Sequence, residues 1–536
     1  MFFPKLTAPP QQRITADRFL GLDRRGGSPM GSFREMENLW AGGYPVMETR
    51  PARGVVTMLK EPHGLICRDA PVWVDGRTLF INGQKTELVL TDGDKQLVSM
   101  GAYLLIWPDK KYINTQNLTE YGGLENRTVS TGEVTVSLCR SSGEELGSYS
   151  IGEEAPVSPG TGSLWMDTAE PVLKRYDGGS WLEVENVCTK VAATGIGRGF
   201  AAGDGVTVRG CETEGVDGLY PLQAAGENWI AVPGMCRTVG SQTAAVTVER
   251  TIPDMDFVVE QGNRLWGCKY GIVNGEPVNE IYASKLGDFR NWNSFAGLST
   301  DSYAAARGSD GVFTGAAACL GGVIFFKEDC VERVYPSAAG AHQIVTLRCP
   351  GVKKGCGGSA ALVDGTLLYV GLNGVYAFDG SMPACVSQPL GNARLENAAA
   401  AGWNGQYWLA ARDAAGKRHV LVYDTAHGLW HRQDDADIMA FAVCDGALYG
   451  LERGGALLDM TGGSGTQEET VRWMAETGEL GLSTPESKYL TRLELRVQPE
   501  GRARLEALVS YDGGRCWETL GEVIGGPGGA DSCVCG

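Results

Sequence analysis

The chain lacks the patterns that place a protein in a membrane or draw it to nucleic acid by charge. No apolar run reaches the roughly 18 residues of a membrane-spanning helix, and the opening Met1-Phe2-Phe3-Pro4-Lys5-Leu6 is too short for a secretory leader. A chain made in the cytoplasm, with no membrane partner, is the expectation. Dense Lys/Arg runs are also missing: Lys plus Arg total 47 against 64 Asp plus Glu, a formal charge of −17 over 536 residues. Such a surface repels nucleic acid unless its basic groups are gathered on one face. Amphipathic helical patterns are scarce while glycine is abundant, at 76 residues, which favours an all-β protein built on tight turns. The 15 cysteines are odd in number, and most sit singly in apolar strand contexts, as at Cys268, Cys319, Cys385 and Cys444. Buried reduced thiols are expected.

What is present is a repeat. Between Gly357 and Leu451 one unit recurs three times, a turn followed by a strand: Asp364-Gly365 leading to Leu367-Leu368-Tyr369-Val370, Asn404-Gly405 to Tyr407-Trp408-Leu409, and Asp445-Gly446 to Leu448-Tyr449. The turn residues tolerate positive φ, and the aromatic and branched residues suit a half-buried pleated surface. The tyrosines lie 38 and 42 positions apart, close to the roughly 40–50 residues of a four-stranded propeller blade. Between them run Gly374-Val375-Tyr376-Ala377-Phe378 and His419-Val420-Leu421-Val422-Tyr423-Asp424, the further strands a blade needs. A β-propeller is therefore expected, with a plain antiparallel sandwich as the alternative.

In chain order, residues 1–60 read as an extended arm with one or two strands, able to close the propeller or reach a neighbour; Phe19, Leu20, Leu39 and Trp40 are its candidate assembly residues. Residues 61–117 carry the first blades. The more polar 118–246 lacks blade spacing and is too long for a loop, so an inserted β-rich domain is expected there. Blades resume over 247–465, for about six or seven in all. The remaining 466–536 has two alternating strands, Thr491–Val497 and Ala503–Ser510, and reads as a small β-sandwich-like module, incomplete or finished by another chain.

Few motifs point to chemistry. Ser510-Tyr511-Asp512-Gly513-Gly514-Arg515-Cys516-Trp517 fits the Asp-box pattern, in which Ser510, Asp512, Gly514 and Trp517 brace a hairpin. A sialidase would need several such boxes, three converging arginines and a Tyr/Glu pair besides. Gly195-Ile196-Gly197-Arg198-Gly199 lacks the spacing and βαβ context of a phosphate loop, and Lys353-Lys354 sits in a glycine-rich loop. His419, His427 and His431 lie near Asp424, Asp434, Asp435 and Asp437, yet extended strands hold the first two histidines about 27 Å apart. Cys349, Cys356, Cys533 and Cys535 lack zinc partners. No catalytic, cofactor-binding or metal-ligating residue is expected.

The order of several short segments carries a resemblance. These are Phe-Leu-Gly-Leu-Asp (19–23), Met-Glu-Asn-Leu-Trp (36–40), Thr-Arg-Pro-Ala-Arg-Gly (49–54), Asn-Arg-Leu-Trp-Gly (263–267), Glu-Ile-Tyr-Ala-Ser (280–284), Phe-Phe-Lys-Glu (325–328), Gly-Val-Tyr-Ala-Phe-Asp-Gly (374–380) and Val-Tyr-Asp-Thr (422–425). With them the chain resembles virion β-propeller proteins of tailed bacteriophages and prophages, of the tail-nozzle or packaged-DNA-stabilising kind. The resemblance implies a structural, non-enzymatic protein at the tail or head–tail junction, assembled in the bacterial cytoplasm. It would form a ring, with six copies expected, below portal and adaptor proteins, and pass genomic DNA without sequence-specific binding. A glycan-binding or sialidase-like glycan-cleaving propeller is the alternative. The short C-terminal module departs from the family.

Overall fold

The computed structural model describes residues 13–480, 491–498, 503–525 and 534–535. Its repeats begin at the turns. Asp364, Asn404 and Asp445 have φ of 46°, 48° and 50°, and the glycines that follow have 82°, 70° and 77°. Two consecutive positive-φ residues make a type I′ turn, whose twist matches the flanking strands. Each such loop fixes a register, with Val363 opposite Thr366, Trp403 opposite Gln406 and Cys444 opposite Ala447.

Two of these hairpins extend into four-stranded antiparallel meanders, over 361–385 and 395–432, and the same meander recurs at 62–89, 96–123, 257–306 and 315–347. The sheet holding the third hairpin takes three strands from 438–459 and its next, Gly54–Met58, from the amino-terminal region. The first strand of each sheet lies against the first strand of the next. At Gly315–Cys319 the contact passes through the 3₁₀ turn Gly357–Ser359, and Ile438–Cys444 returns to Pro62–Cys67. That circuit is a closed ring of sheets, so the fold is an all-β propeller and not a sandwich. Among the described residues there is no α-helix. The sheets are numbered below as blades 1–7 in the order 62–89, 96–123, 257–306, 315–347, 361–385, 395–432 and 438–459.

Blade faces pack on one another through alternating apolar residues. Val72, Val74, Leu79 and Ile81 of blade 1 share a cluster with Leu104, Ile106 and Ile113 of blade 2. The first strands adjoin one another around the ring, and those of blades 4 and 6 carry runs of small side chains, Ala316–Ala318 and Ala398–Ala401. At Gly402 any Cβ would collide with the Leu362 carbonyl.

The arm lies on its own chain. Phe19, Leu22, Met36 and Leu39 are buried in one cluster with Leu409, Leu421 and Trp430 of blade 6, while Ser32–Glu37 pairs with Met474–Thr477. Closure is built by Gly54–Met58. Phe19 and Leu39 are thus core residues, Trp40 is half-buried, and Leu20, 36% exposed, is the arm candidate that faces solvent.

One sequence expectation is corrected. Cys444 is not a reduced thiol but forms a disulfide with Cys67, with Cα atoms 5.5 Å apart. The two lie on the first strands of blades 7 and 1, which ring closure brings side by side although 377 residues separate them. Cys268, Cys319 and Cys385 are free.

Between blades 2 and 3, Asn126–Val129 through Thr247–Arg250 build three further sheets around their own core, including Val136, Met166, Val191, Ile230 and Val248. Both ends of this region meet: Arg250 Nε donates to the Leu124 carbonyl at 3.1 Å, and its Nη1 pairs with Asp204 at 2.5 Å. Asn291 of blade 3 accepts from the Gly205 amide. At the carboxyl end, Arg504–Val509 pairs with Glu518–Ile524, and Leu493, Leu495 and Val497 meet Leu505, Ala507 and Val523 across a small apolar cleft. Met1–Leu6, Cys533 and part of this module lie outside the described residues.

Candidate functional site

In every blade the first and third strands start, and the second and fourth end, at one mouth of the propeller. The Asp364-Gly365, Asn404-Gly405 and Asp445-Gly446 turns therefore all lie at the opposite mouth. The mouth where first strands start collects the turns between second and third strands, the connectors between blades, and the 126–250 region.

The Thr49-Arg50-Pro51-Ala52-Arg53-Gly54 segment enters blade 7 at the start of its fourth strand, where Gly54 pairs with Asp459. Arg53 Nη1 donates to Asp434 Oδ2 at 2.6 Å, and Arg50 donates to Glu468 at 2.6 and 3.2 Å and to Asn38 Oδ1 at 2.6 Å. Glu468 Oε2 also accepts the Arg53 amide at 2.9 Å. The arginine side chains are only 5% (Arg50) and 3% (Arg53) exposed. Burial draws the Arg53 guanidinium down, against the pull of Asp434. Burial pushes the Glu468 carboxyl up, but its bond from Arg50 leaves it below the ordinary value. This knot joins arm, closure strand, blade-6 connector and post-propeller segment.

Beside it, three arginines converge on Asp437. Arg412 Nη2 lies 2.6 Å from Oδ2, Arg418 Nη1 3.7 Å from the same oxygen, and Arg453 Nε 3.9 Å from Oδ1. Arg412 and Arg418 face each other across neighbouring strands of blade 6, while the Arg453 amide donates to the Asp437 carbonyl and anchors the group from blade 7. Nothing in the sequence brings positions 412, 437 and 453 together; ring packing does.

A second cluster, on blade 1 at the mouth where first strands start, also escaped sequence reasoning because its residues are scattered. Ligand atoms of Glu61, His63 and Asp92 lie within 4.8 Å of one another. The His63 ring faces Asp92 through Nε2 at 3.0 Å and Asp94 through Nδ1 at 3.3 Å. A neutral imidazole has one N–H, so one contact opposes lone pairs unless the ring is doubly protonated or a cation intervenes. These are the residues that could hold a divalent ion.

The histidines singled out by sequence do not assemble. His419 Nε2 meets Asp413 at 3.0 Å, and His427 Nδ1 meets Asp424 at 2.9 Å. His431 is fully buried with neither ring nitrogen hydrogen-bonded among the described residues, and burial lowers it to about 4. Asp435 is exposed. Gly195-Ile196-Gly197-Arg198-Gly199 is a closed turn, its Gly195 amide on Asn228 and its Arg198 on Glu227. Lys353 is spent on Glu396 and the Leu395 carbonyl.

In the Asp-box hairpin, Asp512 Oδ1 accepts the Arg515 and Cys516 amides at 2.9 and 2.8 Å, and Ser510 Oγ accepts the Gly514 amide at 2.9 Å. Gly514 has φ of 84°, a conformation that only glycine adopts freely. Trp517, the fourth motif residue of the box, is 45% exposed; among the described residues its hairpin is the two-stranded pair Arg504–Val509 and Glu518–Ile524.

No protein-family model matches the chain, and no curated protein matches it. Among solved structures, the Pyrococcus horikoshii acylaminoacyl peptidase is 10% identical over 75% of this chain and 55% of its own, with a TM-score of 0.26. BamB from Moraxella catarrhalis is 12% identical over 54% and 87%, with a TM-score of 0.22. The phage phi92 endosialidase is 10% identical over 93% and 79%, with a TM-score of 0.26. The chain spans about half the length of the peptidase. The propeller assignment stands on the sheet circuit, independently of these likenesses.

Proposed function

We propose that this chain is a structural protein of a tailed-phage virion, a ring subunit at the tail or head–tail junction that forms or closes the DNA exit channel without catalysis. One observation carries the reading: the amino-terminal segments of the family resemblance are those that lock the ring. Residues 19–23 and 36–40 lie against blade 6, and Arg50 and Arg53 of 49–54 are the buried knot at closure. The acidic balance of −17 fits a wall past which DNA slides without sticking. Partners would be further copies of the chain and the adjoining portal, adaptor or tail proteins.

Mass photometry and negative-stain class averages test this. Six copies of the 57.1 kDa chain would weigh about 343 kDa as a closed ring. Leu20→Asp, on the exposed side of the arm, should reduce ring formation at unchanged thermal stability. A 57 kDa monomer at all concentrations, with or without neighbouring virion proteins, would refute the reading. A glycan-directed propeller is the second reading, favoured by the arginines converging on Asp437; a glycan array separates it.

A further inference from the structure

The three guanidiniums around Asp437 hold more positive charge than that carboxylate offsets. Arg412 and Arg418 are direct cross-strand partners, an arrangement in which like charges destabilise a sheet. Arg453 adds a third cation from blade 7. Only Arg412 is within hydrogen-bond reach of Asp437, at 2.6 Å, while Arg418 and Arg453 stand off at 3.7 and 3.9 Å. A guanidinium presents five N–H donors in a fork suited to planar oxyanions. The three side chains keep 37%, 46% and 47% of their surface open to solvent, whereas Asp437 keeps 20%.

Neighbouring acids are mostly committed elsewhere. Asp413 is engaged by His419 and Asp434 by Arg53 and Arg50. Glu452, half-buried and next to Arg453 in the chain, is pushed up by burial, with Arg53 and Arg418 pulling it the other way. Asp435 is exposed and has no ion pair among the described residues.

We infer that Arg412, Arg418 and Arg453 form a binding site for a small oxyanion, a carboxylate or a phosphate, which bridges Arg418 and Arg453 on the solvent side of Asp437. Asp437 positions the arginines and competes with the ligand. The inference holds whichever reading of the propeller is right, because it concerns one mouth of a single chain.

Calorimetric titration of the full chain with inorganic phosphate and, separately, N-acetylneuraminic acid tests it at constant ionic strength. Saturable binding of at least one is expected, and the preferred ion identifies the source. Arg418→Gln/Arg453→Gln should weaken it at least tenfold. Asp437→Asn should tighten it several-fold by removing the internal competitor, whereas a purely structural role would only lower the thermal transition. Thermal scans check that each variant is folded. Absence of saturable binding to both wild type and Asp437→Asn, or equal binding by the double variant, overturns the inference. Ring formation is measured separately, so the two proposals fail independently.

Discussion

Removing Asp434 should damage this protein more than removing the arginine it pairs with. In wild type, Arg53 has 3% of its side chain exposed and donates to Asp434 at 2.6 Å, while its Nε and Nη2 have no other partner among the described residues. Asp434→Ala therefore strands a buried cation, a loss of about 3–5 kcal/mol. Arg53→Met leaves Asp434, 15% exposed, with Arg50 still 3.6 Å away, and fills the space with an apolar chain, so its cost should be nearer 1–2 kcal/mol. The double variant should resemble Arg53→Met, because the uncompensated charge is gone. The assay is thermal and urea unfolding followed by near-UV circular dichroism, resolved into propeller and 126–250 transitions because a chain of this size need not unfold in one step. Asp434→Ala should lower the propeller transition by on the order of 5–10 °C and leave the other, which has its own core, in place. Equal effects of the two single variants, or a shift below 1 °C for Asp434→Ala, would refute the reasoning.

Two more outcomes follow. His431 is buried and lowered to about 4 from 6.5, so the unfolded chain binds its proton first and stability falls as pH drops from about 6.5 towards 4, by up to roughly 3 kcal/mol; His431→Leu should remove that component, and parallel wild-type and variant stability curves between pH 7 and 4.5 would contradict it. The Cys67–Cys444 bond joins blades 1 and 7, so reduction, or Cys67→Ser, should cost the propeller about 2–4 kcal/mol; in the denatured chain reduction should expose both sulfurs to alkylation and Cys67→Ser only that of Cys444, and an unchanged count of alkylated cysteines on reduction would rule the bond out.

Much of the propeller is visible in the sequence because its signals are local. Asp364-Gly365, Asn404-Gly405 and Asp445-Gly446 announce turns through the φ values they permit, and Tyr369, Tyr407 and Tyr449 report the blade period. The arm's burial is less legible: Phe19 and Leu20 are adjacent and both apolar, yet one is buried and the other exposed, in a segment held by backbone bonds to the Pro45 and Gly31 carbonyls, which lie beyond its local pattern. The disulfide is invisible for a different reason, since Cys67 and Cys444 become neighbours only once the ring closes. The Asp437 cluster likewise draws on two blades, and its arginines read as ordinary surface charges one by one. Conversely, the histidine group at 419–431 is close in sequence and dispersed in space, because strand alternation and a turn send each ring to a separate carboxylate or into the core.

The pairing of Gly54–Met58 with Ala456–Asp459 also sets a clock. On the ribosome the closure strand appears nearly 400 residues before its partner, which at roughly 5–20 residues per second means about 20–80 s with its backbone donors and acceptors unclaimed. Blades 1 to 6 can condense in that interval, but the circle cannot. Throughout it Val55 and Val56 present an open edge to any passing strand, so nascent chains on one message are exposed to mispairing with one another until Ala456–Asp459 emerges.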